Sequence, residues 1–176
     1  MFLNDFSTQR FCLEELSESD FEFVYELVNT AGWIEFIGDK GVRSFEDARE
    51  YAKKMSDAPN IEWWNIKMVD TGCLAGVITF IKRDFLDHYD IGFALLPEFE
   101  GKGIAFEASK LVMDQAFGSG EHDVILGRTM KKNSKSINLL EKLGLKLLKE
   151  SEDDKGVVNC VLKVEKEEYY SLMTQD

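Results

Sequence analysis

The chain has 176 residues, 44% of them hydrophobic and 31% charged, with only two prolines, enough apolar material for one compact domain and too much for global disorder. Its 33 Asp and Glu against 21 Lys and Arg give a formal net charge of -12, which argues against general affinity for nucleic acid or an anionic membrane surface. Cys12, Cys73 and Cys160 are odd in number and far apart, so neither a disulfide framework nor a zinc site follows. The start, Met1 to Phe6, has no basic region or long apolar stretch, and the longest near-apolar run, Gly72 to Ile81, is too short to span a bilayer. The expectation is a soluble protein of a reducing compartment, the cytoplasm.

The first element, Gln9 to Leu16, carries Phe11, Leu13 and Leu16 among polar residues and suits a short strand. Ser19 followed by Glu22 resembles a capping box, and Phe21, Val24, Tyr25 and Val28 follow at helical spacing until Gly32 and Gly38 break the pattern. A second helix starts at Ser44, with Asp47 as its capping partner, and runs through Ala48, Tyr51, Ala52 and Met55 toward Pro59. The texture then changes to strands. Ile61 to Val69 and Cys73 to Ile81 flank the turn Asp70-Thr-Gly72 as a hairpin, and a loop, Lys82 to Tyr89, leads into Asp90 to Leu96, stopped by Pro97.

After the glycine segment 98–104, Ala105, Ala108, Leu111, Val112 and Ala116 mark an amphipathic helix. Asp123 to Gly127 reads as a buried strand, Ser134 to Leu143 as a helix closed by Gly144, Leu145 to Lys149 as a strand, and Val157 to Val164 as the last strand. No repeat or linker divides the chain. The fold expected is α/β, an α+β mixed sheet with helices on its faces, in a single domain over residues 1–176.

Gly101 and Gly103 precede a helix whose free N–H groups and positive dipole end suit an anion, or they form only a turn. A P-loop is excluded because Gly103 follows Lys102, and a Rossmann fingerprint because Phe106 stands where a small residue is needed. Arg128, Lys131, Lys132 and Lys135 form a run without an acid, either a solvated face or a patch for a polyanionic ligand. His88 and His122 read as surface histidines. Trp33, Trp63 and Trp64 read as core or as pocket lining, an exposed Trp63-Trp64 face being one route to a dimer.

Together, Asp90-Ile-Gly-Phe-Ala-Leu-Leu-Pro-Glu-Phe-Glu-Gly-Lys-Gly-Ile-Ala-Phe-Glu-Ala108 and Asn133-Ser-Lys-Ser-Ile-Asn-Leu-Leu-Glu-Lys-Leu-Gly-Leu145 resemble the GNAT superfamily of N-acetyltransferases, closest to its RimJ/RimL-like, ribosomal-protein-alanine acetyltransferase branch. The resemblance implies a central, mostly antiparallel sheet splayed at a wedge that holds acetyl-CoA. It also implies pyrophosphate on Glu100, Gly101, Lys102, Gly103, Ile104 and Ala105, pantetheine on the backbone of Ala94, Leu95 and Leu96, and a hydrogen bond from Asn133. Glu100 stands where the family usually has Gln or Arg, and Leu140 where many relatives place a tyrosine acid.

For catalysis, Asp90 is a candidate base or a strand-end residue. Ser136 is a candidate proton donor or orienter of the sulfur, or a first-turn helix residue. The implied acceptor side comprises the first two helices, residues 32–42 and the Lys82 to Tyr89 loop. An acidic rim there would favour cationic acceptors. The expected reaction is acetyl transfer to a primary amine, small or at a protein N-terminus, by a monomer or homodimer that binds neither nucleic acid nor membrane. The alternative is a non-catalytic CoA-binding or partner-binding module of the same fold.

Overall fold

A computed structural model describes residues 6–174, so the Met1 to Asp5 part of the N-terminal reading lies outside the described residues. Seven strands form one sheet: β1 (Phe11–Glu15), β2 (Ile61–Met68), β3 (Leu74–Ile81), β4 (Asp90–Leu95), β5 (Val124–Met130), β6 (Lys146–Glu152) and β7 (Val158–Glu165). Their spatial order is β1-β2-β3-β4-β5-β7-β6. Every neighbouring pair is antiparallel except β4 and β5.

Among the described residues six α-helices cover the two faces: α1 (Phe21–Val28), α2 (Ala31–Phe36), α3 (Phe45–Ser56), α4 (Ile104–Gly118), α5 (Ser134–Lys142) and α6 (Lys166–Met173). Strand alternation decides which side chains each face receives. Val77, Ala94 and Trp63 pack with Val24, Leu27, Trp33 and Ala48 of α1 to α3. Ile78, Ile91, Ile125 and Leu162 pack with Ala108, Val112, Leu140 and Tyr169 of α4 to α6. Trp63 and Trp64 are 7% and 3% exposed, so they point into opposite halves of the core and offer no exposed tryptophan face. Among the described residues no helix is long and apolar enough to cross a membrane.

Local chemistry explains the helix starts. Ser44 accepts a hydrogen bond from the Asp47 N–H at 3.1 Å and caps α3 as the sequence suggests, a contact worth about 1 kcal/mol. The α1 start differs from the reading at Ser19: Asp20 accepts from the Ser17 N–H at 2.9 Å, and a 3-10 turn over Glu18–Asp20 leads into the helix. Helix α2 stands where Gly32 reads as a break, because Thr30 caps it by accepting from the Trp33 N–H at 3.3 Å and Trp33 is buried. Helix α6 is also additional to the sequence reading; its anchor is the fully buried Tyr169, which donates to Asp114 at 2.7 Å.

Candidate active site

Strands β4 and β5 pair only at Asp90 with Leu126 and Ile91 with Gly127. Beyond that level β4 stays with β3 as far as Leu95, and β5 stays with β7 as far as Met130. Each strand follows its antiparallel neighbour, sheet twist carries the two apart, and a splay opens. Gly127 marks its base. A Cβ there would stand 2.6 Å from Leu140 Cδ2, so only glycine lets α5 lie this close.

Ladder parity fixes which β4 groups face the opening. The Leu126 N–H donates to Tyr89 O at 2.9 Å, whereas the Leu96 N–H donates to Ala75 O at 2.9 Å. Odd-numbered residues of this strand therefore direct N–H and C=O toward β5, and even-numbered ones toward β3. Where β5 has departed, the free backbone groups are those of Phe93 and Leu95. This corrects the sequence expectation for Ala94 and Leu96: Ala94 stands opposite Val77 in the β3 ladder, and its backbone is used there, as is the Leu96 N–H. Leu95 directs its backbone to the open side.

At the end of β4, a 3-10 turn over Pro97–Phe99 and the loop Glu100 to Gly103 lead into α4. Gly101 and Gly103 have φ of 72° and 75°, the left-handed region where a side chain is strained. Among the described residues no side chain caps α4, so the N–H groups of Ile104, Ala105 and Phe106 lack a capping acceptor at the positive end of a 15-residue helix. Arg10, which the sequence reading missed, braces this loop by donating to Lys102 O at 2.8 Å and to Glu107 at 2.9 Å. No local pattern marks it; the contact is made across more than ninety residues of sequence. Glu100 pairs with Lys135 of α5 at 3.1 Å, so its charge has a partner across the splay.

On the β5 side, Asn133 caps α5 by accepting from the Ser136 N–H at 3.2 Å, which leaves its Nδ2 donors for a ligand. Ser136 is half-buried in the same first turn. The basic run disperses: Lys131 pairs with Glu150 at 2.9 Å, Lys132 with Glu35 at 3.2 Å, and Lys135 with Glu100, while Arg128 makes none of these pairs. His122 is half-buried rather than fully at the surface, and it packs edge-on to Phe80 and Tyr89 at 5.1 and 5.0 Å.

Asp90 is 2% exposed and accepts from Arg83 Nε at 2.7 Å and Nη2 at 3.3 Å. Burial raises its pKa, opposed by the hydrogen bond and charge of Arg83. It lies four residues, about 13 Å of strand, before Ala94. The structure therefore does not bring it to the middle of the splay, and a base must lie within hydrogen-bond reach or one water of its proton. Leu140 is 1% exposed and supplies no proton donor.

An open strand edge that runs into an uncapped helix start suits an extended ligand with amides at one end and phosphates at the other. Residues 10–146 match the family model described as an acetyltransferase (GNAT) domain. This chain belongs to the GNAT acetyltransferases. It is 28% identical over 141 residues to an uncharacterized N-acetyltransferase, YnaD, of Bacillus subtilis (strain 168), covering 80% of this chain and 81% of that protein. Among solved structures, a GNAT-family acetyltransferase from Bacillus anthracis superposes with a TM-score of 0.79 at 22% identity, covering 95% of this chain and 99% of that one. RimL, a ribosomal-protein alpha-N-acetyltransferase solved with coenzyme A, has a TM-score of 0.80 at 15% identity, covering 92% and 98%. The protein is accordingly an N-acetyltransferase, and acetyl-CoA is the donor its family uses.

Proposed function

We propose that this N-acetyltransferase holds acetyl-CoA in the β4–β5 splay and acetylates a primary amine, on a small molecule or at a protein N-terminus. The observation that carries the reading is the open edge at Phe93 and Leu95 leading into the uncapped start of α4. Acetyl-CoA supplies an activated acetyl thioester. The backbone of Phe93 and Leu95 would pair with the pantetheine arm and aim the thioester carbonyl. Amides of Gly101, Lys102, Gly103, Ile104, Ala105 and Phe106 would hold the pyrophosphate, Asn133 Nδ2 would donate to the cofactor, and the Ser136 hydroxyl would orient the sulfur. Glu100 takes part through its pair with Lys135 rather than by contact with phosphate.

Positioning carries most of the rate in such a site, because a neutral amine attacks a thioester without covalent help from the protein. Asp90 is a positioning residue that holds Arg83, and the amine's proton leaves to water. A thiol of ordinary pKa, about 8.5, is a tolerable leaving group without an acid at Leu140. The Asn133 to Leu145 motif supports a place in the RimJ/RimL-like branch, and we propose that the enzyme works in the cytoplasm as a monomer or homodimer.

A thiol-release assay with acetyl-CoA over a panel of amines tests this reading. Release above the background hydrolysis rate is expected with at least one amine, and Asp90→Asn should lower kcat/KM without moving the acid limb of the pH profile. Loss of that limb would restore Asp90 as the base. Cofactor binding without release from any amine would favour the non-catalytic module.

A further inference from the structure

Arg128 is the member of the basic run that the cofactor reading does not absorb. By the β4–β5 register it shares a sheet face with Leu126 and Asp90, level with Gly92 at the first unpaired step of the splay. That face is the one covered by α1, α2 and α3, and Gly92 puts no side chain on it. The β3–β4 loop lies on the same face: Leu86, 4% exposed, packs on Leu126 and Val161, and Lys82 pins the loop by donating to Leu86 O and Arg83 O. The loop thereby sets Phe85 under the Arg128 guanidinium, 5.7 Å from the ring centroid, and Arg83 against Asp90.

Lys40, from the segment between α2 and α3, lies within electrostatic reach of Arg83, as does Arg128. Asp90 is already bonded to Arg83, and Asp153 acts on Arg128 only through its field. Among the described residues, Lys40 and Arg128 have no hydrogen-bond or ion-pair partner. Arg83 and Arg128 thus act on one engaged carboxylate, Asp90, and Lys40 adds to the positive field at Arg83, in a chain of net charge -12. Desolvation, then the neighbouring Arg83, depresses the pKa of both Lys40 and Arg128, which an arriving anion would reverse.

Accepting that acetyl-CoA fills the splay, we infer that the acceptor amine carries an anionic group, a carboxylate or phosphate, and that Arg128 recognises it with the Arg83–Asp90 pair behind it. The planar fork of Arg128 is suited to bidentate contact with an oxyanion, and the Phe85 ring lies beside it at 5.7 Å. The local charge opposes the cationic acceptors that overall composition suggests. Two strand residues separate Arg128 from the level of Ala94, about 7 Å, so with the reach of the arginine side chain an anion two to four bonds from the amine spans the gap.

The test uses acceptors matched within each chain length: glycine, β-alanine and γ-aminobutyrate, each with its carboxamide and its phosphonate analogue, and a diamine. Thiol release gives kcat/KM, and calorimetry with the N-acetylated compounds and coenzyme A reads the pocket without turnover. The wild type should prefer an oxyanion over its carboxamide by roughly tenfold or more. Arg128→Gln should bring that ratio near unity, while Lys149→Gln, the same charge change on an exposed residue of the edge strand β6, should preserve it. The carboxylate and phosphonate arms identify the anion. Equal or better use of carboxamides or the diamine, or a ratio that survives Arg128→Gln, overturns the inference. Should no amine release thiol, preferential and Arg128-dependent binding of acetylated oxyanions would still sustain it while defeating the transferase reading, and absence of that preference would defeat it.

Discussion

Gly127→Ala places one methyl at the base of the splay, and its consequences can be worked from contacts. The new Cβ would meet Leu140 Cδ2 at 2.6 Å, Cδ1 at 2.9 Å and Cγ at 3.2 Å. Carbon atoms rest about 3.5–4.0 Å apart, so Leu140 must retreat by roughly 1 Å within a packed core. Overpacking of this kind costs about 1–3 kcal/mol, and at this chain length each kcal/mol lowers Tm by about 2–4 °C. Leu140 is the one buried residue of α5, whose start carries Asn133 and Ser136, so KM for acetyl-CoA should rise more than kcat falls. Leu140→Ala alone should cost about 2–5 kcal/mol. In the double variant the added methyl enters the space that Leu140 vacates, and the combined loss should fall short of the sum by about 1–3 kcal/mol. Denaturant unfolding of the four proteins closes this cycle. Additivity within about 0.5 kcal/mol, or an unchanged Tm for Gly127→Ala, would refute the contact argument.

Three further outcomes follow from individual groups. Glu100→Gln should tighten acetyl-CoA binding by roughly two- to fivefold, and Lys135→Gln should weaken it, because the first removes a negative charge near the phosphates and the second leaves Glu100 unopposed; calorimetry reads both. Burial, then Glu15 and Glu121, raise the Glu62 pKa from 4.5 to about 7, so the folded state holds the proton more tightly than the unfolded one. Its contribution to stability is complete below about pH 4.5 and disappears as pH rises through about 7, and Glu62→Gln should flatten that decline by about 1 kcal/mol after allowance for its partial exposure. Ser109 is fully buried in α4 with no partner for its hydroxyl among the described residues, so Ser109→Ala should stabilise by about 1 kcal/mol in thermal unfolding.

Much of this site is legible in the chain because its parts are local. Apolar alternation and the turn at Gly72 expose the β2–β3 hairpin, Pro97 ends β4, and Gly101 and Gly103 mark a loop that side chains would strain. Asn133 is legible as a helix start. What stays hidden depends on partners distant in sequence. Whether Ala94 or Phe93 faces the splay is a one-residue question of parity, set by where Leu96 meets Ala75 on another strand. Arg10 and Lys102 meet across the fold, and the lysines of the basic run disperse to Glu150, Glu35 and Glu100 once three different elements come together. Helix α2 is concealed by Gly32, although Thr30, three residues before Trp33, carries the capping signal.

The most direct test of the central claim is an amide-resolved NMR titration with acetyl-CoA. If the cofactor lies in the β4–β5 splay, the N–H resonances of Phe93 and Leu95 and of Gly103 to Phe106 will shift strongly and gain exchange protection, while those of Ala94 and Leu96, already bonded to β3, will change little. Saturable binding that leaves Phe93 and Leu95 unmoved, or no binding at millimolar acetyl-CoA, would contradict the account.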